Sequence, residues 1–416
     1  MIKSFISVIK NKHFRILWLA QITSQVALNM LSFVLAIKVY QETKSNTAVS
    51  IMLLSFGVPA IVFGVIAGGV VDYFDKRKVM IFCNGVRVIL FILFFLFSKN
   101  LFALYALSVF ISIITQLFIP AEAPSIPQLV SSEKLLAANS LFAISFYLST
   151  VLGFILAGPF IRIFGFHDVY LVMGFLMLLS FFFVFRLPPI RTAGGGQFSF
   201  QFSFITTTIS GGLRFIKSTP RITQSLILMT FSQALLATLA VLAPGFADRV
   251  LTIDLTDASY LVMGPAALGL VAGALLVGIF GAKFLKGTLI LIGILATGTV
   301  LLFLSLITRA DSPSIFTISN LFLAMLFLFL LGMFNSFISV PANTILQAET
   351  RSNMRGRVYG VLTSLTGGVS FLPVVFSGIL ADNFGVGRTL SIIGMIILTI
   401  GGYHYLQRRN YHTTIN

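Results

Sequence analysis

The sequence has 416 residues, of which 57% are hydrophobic and only 10% are charged, whereas a soluble domain carries about 25% charged residues. A chain this long and this apolar cannot bury its hydrophobic side chains in one aqueous core, so the composition excludes an ordinary soluble protein. The formal charge of +16 would suit a nucleic-acid partner, but the positions of the basic residues argue against one and indicate membrane topology.

Apolar runs of about twenty residues follow one another along the chain, and a helix needs about twenty residues to cross a bilayer. Strands of a membrane barrel would be about ten residues long and would alternate in polarity. The predicted fold class is therefore an all-α membrane protein with twelve transmembrane helices. The predicted spans are 15–40, 48–71, 79–98, 101–121, 138–163, 168–187, 222–247, 258–281, 287–308, 314–340, 357–381 and 388–407.

An even number of spans places both termini on the same side of the membrane, and cytoplasmic loops retain Lys and Arg. The side with the termini carries twenty Lys and Arg residues, and the opposite side carries six. We therefore expect a multi-pass protein of the bacterial cytoplasmic (inner) membrane with both termini in the cytoplasm.

The two halves of the chain resemble each other at matching topological positions. Ser24-Gln25 in the first span corresponds to Ser232-Gln233 in the seventh, 208 residues later. Pro120-Ala121 after the fourth span corresponds to Pro341-Ala342 after the tenth. Such repeats predict two pseudo-symmetric six-helix bundles, with any substrate site at their interface near the bilayer midplane.

The predicted bundles are residues 1–187 and 222–416, and residues 188–221 join them as a cytoplasmic linker. Between Phe198 and Phe204 every second residue is Phe, a pattern typical of a strand. A lone strand would have no sheet to join. We expect instead a segment that lies in the membrane interface with its phenylalanines buried.

The loop after the second span carries an aspartate followed by basic residues. Asp72 ends its own helix, where the macrodipole is negative, so its carboxylate needs an external positive partner. The N-terminus of the eleventh span, with Arg355 and Arg357 beside it, faces the same cytoplasmic layer. A contact there would act as a latch that favours one conformation of a two-state protein. Lys76 and Arg77 belong to this candidate gate, and a solvated basic loop is the alternative for them.

This loop resembles the signature of the major facilitator superfamily, which is Gly-x-x-x-Asp and a basic cluster between the second and third of twelve spans. Gly69 (or Gly68), Asp72, Lys76 and Arg77 match the signature. Tyr73 and Asp75 replace its usual basic residue and glycine. The resemblance implies a secondary transporter that works by alternating access.

Further motifs are spread along nearly the whole chain: Asn11–Trp18, Pro120-Ala121 with Pro127–Val130, Ala137–Ser140, Gly211–Ile216, Gln347 and Arg355–Gly360. These motifs resemble the branch of the superfamily that contains the enterobactin exporter and the macrolide efflux proteins. The resemblance implies export of a small solute. That branch often has an acid shortly after the Ser-Gln pair of the first span, whereas the neutral Asn29 stands nearby here.

Polar side chains share one face of the first span and one face of the seventh, because their spacing matches about 100° of rotation per residue. Amides that face lipid are costly, so we expect these faces to line the cavity. Hydrogen bonding between helices is the alternative. The residues are Gln21, Gln25, Asn29 and Ser32 in the first span, and Thr230 and Gln233 in the seventh.

Charged residues at membrane depth are functional candidates by default. Lys38 lies near the outer end of its span, from which it can snorkel to the interface. Arg87 lies about two turns into the third span, where it can pair with Glu122 at the cytoplasmic end of the fourth or snorkel inward.

These features and the resemblance predict a secondary active transporter that exports a small amphipathic solute, either drug-like or siderophore-like. Its partners would be the solute and the lipid bilayer, with protons as a candidate coupling ion. We expect a monomer without a cofactor or metal, and no enzyme, because no nucleophile–base pair or phosphate-binding loop stands out. Two alternatives stay open: a lysophospholipid or lipid flippase of the same fold, and a non-transporting membrane sensor or scaffold.

Overall fold

The computed structural model describes residues 2–71, 74–190, 216–307, 318–350 and 371–413, and these residues form helices without a strand. The predicted all-α class is confirmed. Phe198 to Phe204 of the predicted interfacial segment lie outside the described residues. The main helices are α1 (Ile2–Ile9), α2 (Lys12–Thr43), α3 (Asn46–Val71), α4 (Lys76–Leu96), α5 (Leu101–Glu122), α6 (Leu135–Phe185), α7 (Pro220–Phe246), α8 (Gly264–Phe280), α9 (Lys286–Ile307), α10 (Ile318–Glu349), α11 (Phe371–Phe384) and α12 (Val386–Thr413).

Within the described residues, ten helical segments are long and apolar enough to cross a membrane. One of them includes most of α6, which has 51 residues and contains two predicted spans. Gly165 breaks this helix with a φ of 77°, in a region of backbone space that glycine enters without a steric penalty. The short apolar helix α11 covers only the end of the predicted eleventh span, and residues 357–370 lie outside the description. The membrane fold is confirmed, and the number of twelve spans stays a prediction.

Side-chain caps fix several helix starts. The Oδ1 of Asn11 accepts the backbone N–H groups of His13 and Phe14 at 3.0 and 3.2 Å, which satisfies donors that have no partner inside α2. Asn100 caps α5 in the same way by accepting the N–H of Ala103 at 3.1 Å. The motif that begins at Asn11 therefore owes part of its sequence to helix capping.

One predicted helix end is wrong. The sequence predicts that the tenth span ends at 340, with Pro341-Ala342 opening a polar segment, but α10 continues through Pro341 to Glu349. Proline removes one backbone donor and crowds the preceding turn, yet membrane helices tolerate it where neighbouring groups compensate. A single proline was therefore too weak a signal for a helix end.

The chain divides into two compact units. The first comprises residues 1–39 and 52–207, and the second comprises residues 40–51 and 208–416. The end of α2 and the beginning of α3 thus belong to the second unit. In the first unit, a core cluster of buried apolar residues includes Phe14, Leu17, Met80, Cys83 and Phe118.

In the second unit, α8 and α10 approach each other at glycines. A Cβ atom on Gly269 would meet the backbone of Phe329, and one on Gly332 would meet the backbone of Ala266. Small residues allow this approach of two helix backbones, which is a common packing mode in membranes.

Large apolar side chains point outward from both units. Phe102 is 82% exposed in the first unit, and Phe322 is 69% exposed in the second. Many exposed groups of this kind would promote aggregation in water, and they are the surface that lipid requires. This exposure agrees with the composition and with the long apolar helices.

Candidate functional site

The predicted cytoplasmic gate is only partly described. Asp72, Arg355 and Arg357 lie outside the described residues, so the latch between them stays a prediction. Gly69 lies in the last turn of α3.

The basic residues of this loop contact the region around the end of α6. Lys76 is buried at the first position of α4, and its backbone N–H donates to the carbonyl of Ile190 at 3.3 Å. The Nη2 of Arg77 donates to the carbonyl of Phe185 at 2.6 Å, and its guanidinium lies 5.6 Å from the centre of that ring. Both residues therefore hold the beginning of α4 against the end of α6 and the residues that follow it, whether or not they also serve a gate.

Asp75, which replaces the usual glycine of the signature loop, has a structural role. Its side chain accepts the backbone N–H of Lys78 at 3.2 Å and caps α4. The carboxylate also suits the positive end of the helix macrodipole. This departure from the family pattern thus stabilises the start of the helix.

The polar face of α2 is not uniform. Gln21 is 1% exposed, donates to the carbonyl of Phe142 at 3.1 Å and accepts the hydroxyl of Ser145 at 2.7 Å. Both partners are on α6, so Gln21 connects two helices of the first unit. Gln25 and Asn29 are half-buried, and the Asn29 amide donates to the Gln25 carbonyl at 2.8 Å.

The other members of the predicted lining differ in exposure. Ser32 is half-buried in α2, and Gln233 is exposed on α7. Thr230 is buried, and its hydroxyl returns to the carbonyl of Leu226 in its own helix at 2.8 Å. Four of the predicted lining residues are thus at least partly accessible: Gln25, Asn29, Ser32 and Gln233. Their role in lining a cavity stays a prediction.

Close packing places Asn29 against a glycine of α6. A Cβ atom on Gly153 would lie 2.7 Å from the Cβ of Asn29 and 3.0 Å from the backbone of Val26 and Met30. Only a residue without a side chain fits at this contact.

Of the charged residues at membrane depth, Lys38 is half-buried, and its Nζ lies 5.6 Å from the centre of the Phe166 ring. Arg87 and Glu122 are 1% and 7% exposed, and they interact electrostatically without a direct ion pair. Both side chains are thus buried in the first unit, and their pairing stays a prediction.

Sequence reasoning missed a polar cluster at the junction of α2 and α3, which belongs to the second unit. The Asp382 carboxylate of α11 accepts the hydroxyl of Ser45 at 2.6 Å and the backbone N–H groups of Asn46 and Thr47 at 2.8 and 2.9 Å. The run Ser45–Thr47 consists of residues that favour helix starts. That signal could have located the start of α3, but it carries no information about a partner in α11.

Asp248 makes a second contact with the same junction. Its carboxylate binds the Nζ of Lys44 at 3.1 Å and accepts the hydroxyl of Tyr40 at 3.4 Å. The neighbouring Arg249 donates to the carbonyl of Lys44 at 2.7 Å. Two acidic residues and one arginine thus hold residues 40–47 within the second unit.

Comparison with known proteins identifies the family. The model described as "Major Facilitator Superfamily" matches residues 17–374. An uncharacterized MFS-type transporter, YfiS of Bacillus subtilis (strain 168), is 26% identical over 370 residues, which cover 88% of this chain and 86% of YfiS. The enterobactin exporter EntS of Salmonella choleraesuis (strain SC-B67) is 25% identical over 413 residues, which cover 94% and 92% of the two chains.

Solved structures show the same fold at lower identity. The nucleoside transporter NupG matches with a TM-score of 0.72 and 15% identity, over 94% of this chain and 97% of NupG. A bacterial homolog of the human lysosomal transporter Spinster, inward-facing and unoccupied, matches with a TM-score of 0.74 and 13% identity, over 97% and 98% of the two chains.

Proposed function

Because the chain belongs to the major facilitator superfamily, we propose that this multi-pass membrane transporter exports a small amphipathic solute from the bacterial cytoplasm by alternating access. The observation that carries the proposal is the similarity to an enterobactin exporter along 94% of the chain. Similarity of this extent includes both predicted bundles, 1–187 and 222–416, and not only the loops that mark the superfamily.

The chemistry of the polar residues supports an uncharged or weakly charged solute. Gln25, Asn29 and Ser32 offer amide and hydroxyl groups on one face of α2, and Gln233 offers an exposed amide on α7. Neutral groups of this kind orient a solute by hydrogen bonds. A drug-like compound or a siderophore-like metabolite suits such groups better than a highly charged substrate does.

The experiment is an accumulation assay in cells that lack their own efflux pumps. Cells with the wild-type protein or with empty vector would be loaded with enterobactin and with a panel of lipophilic dyes and antibiotics, with and without a protonophore. We expect lower accumulation of at least one compound with the wild-type protein, and loss of that difference with the protonophore. Equal accumulation of all compounds would contradict the proposal and would favour a lipid flippase or a non-transporting role.

Two aspartates of the same loop make a matched pair of variants for the gate. Asp72→Asn removes the carboxylate of the proposed latch, and we expect it to reduce export about tenfold or more, a loss that corresponds to a latch worth about 1.4 kcal/mol or more. Asp75→Asn keeps a side chain that can cap α4 and should export like the wild type. Equal export by Asp72→Asn and wild type would contradict the proposed latch but not the proposed export function.

A further inference from the structure

Arg87 and Glu122 lie in the first unit on two adjacent helices. Arg87 is in α4, and Glu122 is the last residue of α5. The Arg87 guanidinium is 4.4 Å from the centre of the Phe118 ring, and Phe118 lies one helical turn before Glu122. Residues four apart share a helix face, so the guanidinium lies against the face of α5 that carries Glu122.

A chain of hydrogen bonds fixes one side of Arg87. Its Nη1 donates to the Oδ1 of Asn84 at 3.1 Å, the Nδ2 of Asn84 donates to the hydroxyl of Ser180 at 2.9 Å, and Ser180 donates to the carbonyl of Ala20 at 2.8 Å. All three side chains are at most 1% exposed. These hydrogen bonds connect α4, α6 and α2, and they hold the guanidinium in place from one side only.

The other side of the pair has unused hydrogen-bonding groups. The Nε and Nη2 of Arg87 and the Oε1 of Glu122 are buried without a hydrogen-bond partner. Buried polar atoms are nearly always paired, and an exception calls for an explanation. Here the unpaired donors and the unpaired acceptor belong to two groups that already interact electrostatically.

We propose that the Glu122 carboxyl is a proton-binding site of this transporter and that Arg87 is the counter-charge that pairs with it when the proton leaves. The reaction is a reversible protonation: the carboxylate takes one proton from water to become a neutral acid, and it releases that proton to water. Neutral Glu122 needs no cation, which agrees with the absence of a direct ion pair in the described structure. Ionised Glu122 attracts the free Nε and Nη2 groups, since a buried carboxylate is stable only when it is paired.

Protonation would therefore change the packing of α4 against α5. One other titratable side chain lies near the pair in the described residues: the thiol of Cys83, on the same face of α4, interacts with Arg87. The hydrogen-bond partners Asn84 and Ser180 are neutral. Coupling of this proton to export rests on the proposed function, whereas binding of the proton does not.

The test is infrared difference spectroscopy of the purified full-length protein in lipid membranes, between acidic and alkaline buffers. The chain has only 12 Asp and Glu residues, so the band of a protonated carboxylic acid can be assigned with single variants. We expect a band in the wild type that is absent in Glu122→Gln and retained in Asp168→Asn, an exposed acid of the same unit that pairs with His167. Glu122→Asp, which keeps a carboxyl group, should restore the band at a shifted position.

Variants of the counter-charge separate a charge effect from a packing effect. Arg87→Gln should move the midpoint of the band to higher pH, because the carboxylate loses its positive partner, and Arg87→Lys should restore most of the midpoint. The single tryptophan, Trp18, packs against the core cluster that includes Cys83 and Phe118. Its fluorescence should therefore change with the same pH midpoint as the infrared band.

An identical band in Glu122→Gln and wild type would overturn the proposal, whatever the export assays show. A midpoint that does not move in Arg87→Gln would overturn the role of Arg87. Loss of the band in Glu122→Gln together with no export of any compound would support the proton site and count against the proposed exporter.

Discussion

The carboxylate of Asp382 lies at the beginning of α3 and accepts the backbone N–H of Asn46 at 2.8 Å. It also accepts the side-chain amide of Asn46 at 3.1 Å, the Ser45 hydroxyl and the Thr47 N–H. An acid from another helix thus performs the task that a capping side chain normally performs locally. The contact joins residues that are 336 positions apart.

We predict that Asp382→Ala lowers the thermal stability of the protein more than Asp382→Asn does. Alanine leaves the N–H groups of the buried Asn46 and the half-buried Thr47 without this acceptor, and a buried group that loses its partner costs roughly 1–3 kcal/mol. Asparagine keeps one acceptor and loses the charge. The measurement is the temperature at which half of the detergent-solubilised protein leaves its monodisperse peak in size-exclusion chromatography.

Asp248→Asn is the matched control for this prediction, because Asp248 holds the same junction through an exposed ion pair. The side chains of Lys44 and Asp248 are 55% and 30% exposed, and an exposed pair contributes about 0–1 kcal/mol. We expect a smaller change in Asp248→Asn than in either Asp382 variant. Equal changes in Asp248→Asn and Asp382→Ala would show that Asp382 is not a cap of special importance.

A second prediction separates the two roles proposed for the polar face of α2. Gln21→Leu removes both hydrogen bonds to α6 and leaves the Ser145 hydroxyl with one partner fewer, so it should lower stability by roughly 1–3 kcal/mol. Gln25→Leu changes a half-buried side chain and should leave stability within about 0.5 kcal/mol while it changes which compounds are exported.

Cys83 provides the measurement for these two variants. It is the only cysteine of the chain and is buried in the core of the first unit. A thiol-reactive fluorophore should therefore label it only when this unit unfolds. The labelling temperature should fall in Gln21→Leu and not in Gln25→Leu. The opposite order would assign the packing role to Gln25 and the lining role to Gln21.

The sequence predicted the positions of the helices better than it predicted the contacts of their polar side chains. Hydrophobic length located most of the described helices to within a few residues, because lipid requires long apolar helices whatever their neighbours are. The exceptions were local: Gly165 breaks α6 without a long loop, and Pro341 does not end α10.

The partners of polar residues depend on three-dimensional packing and could not be read from spacing. Periodicity placed Gln21 and Gln25 on one face, but it could not distinguish a neighbouring helix from a cavity, since both lie inside the bundle. The pairing of Asp382 with Asn46 has no local signal in α11. Arg87 and Glu122 were proposed as partners because so few charges lie at membrane depth.

A third prediction concerns the glycines of α8. A Cβ atom on Gly273 would meet the backbone of Met333 in α10, whereas one on Gly278 would meet nothing within 4 Å. Gly273→Ala should push the helices apart and cost about 1–3 kcal/mol, as overpacking does. Gly278→Ala should be neutral or stabilising, because alanine favours a helix by about 1 kcal/mol over glycine. The measurement is thermal size-exclusion chromatography of the two variants. Equal thermal stability of Gly273→Ala and Gly278→Ala would show that α8 and α10 do not pack closely at Gly273.

The last prediction concerns orientation, which follows from the excess of Lys and Arg on the side of the termini. A green fluorescent protein fused after Asn416 should fluoresce, since it folds in the cytoplasm. Alkaline phosphatase needs disulfides, which form outside the cytoplasm. Its fusion after Asn100 should be active and its fusion after Asp75 inactive. These two sites flank the single helix α4, so they must give opposite signals if α4 crosses the membrane. Activity after Asp75 together with a dark C-terminal fusion would reverse the orientation, and the gate of Asp72 would then lie on the outer side.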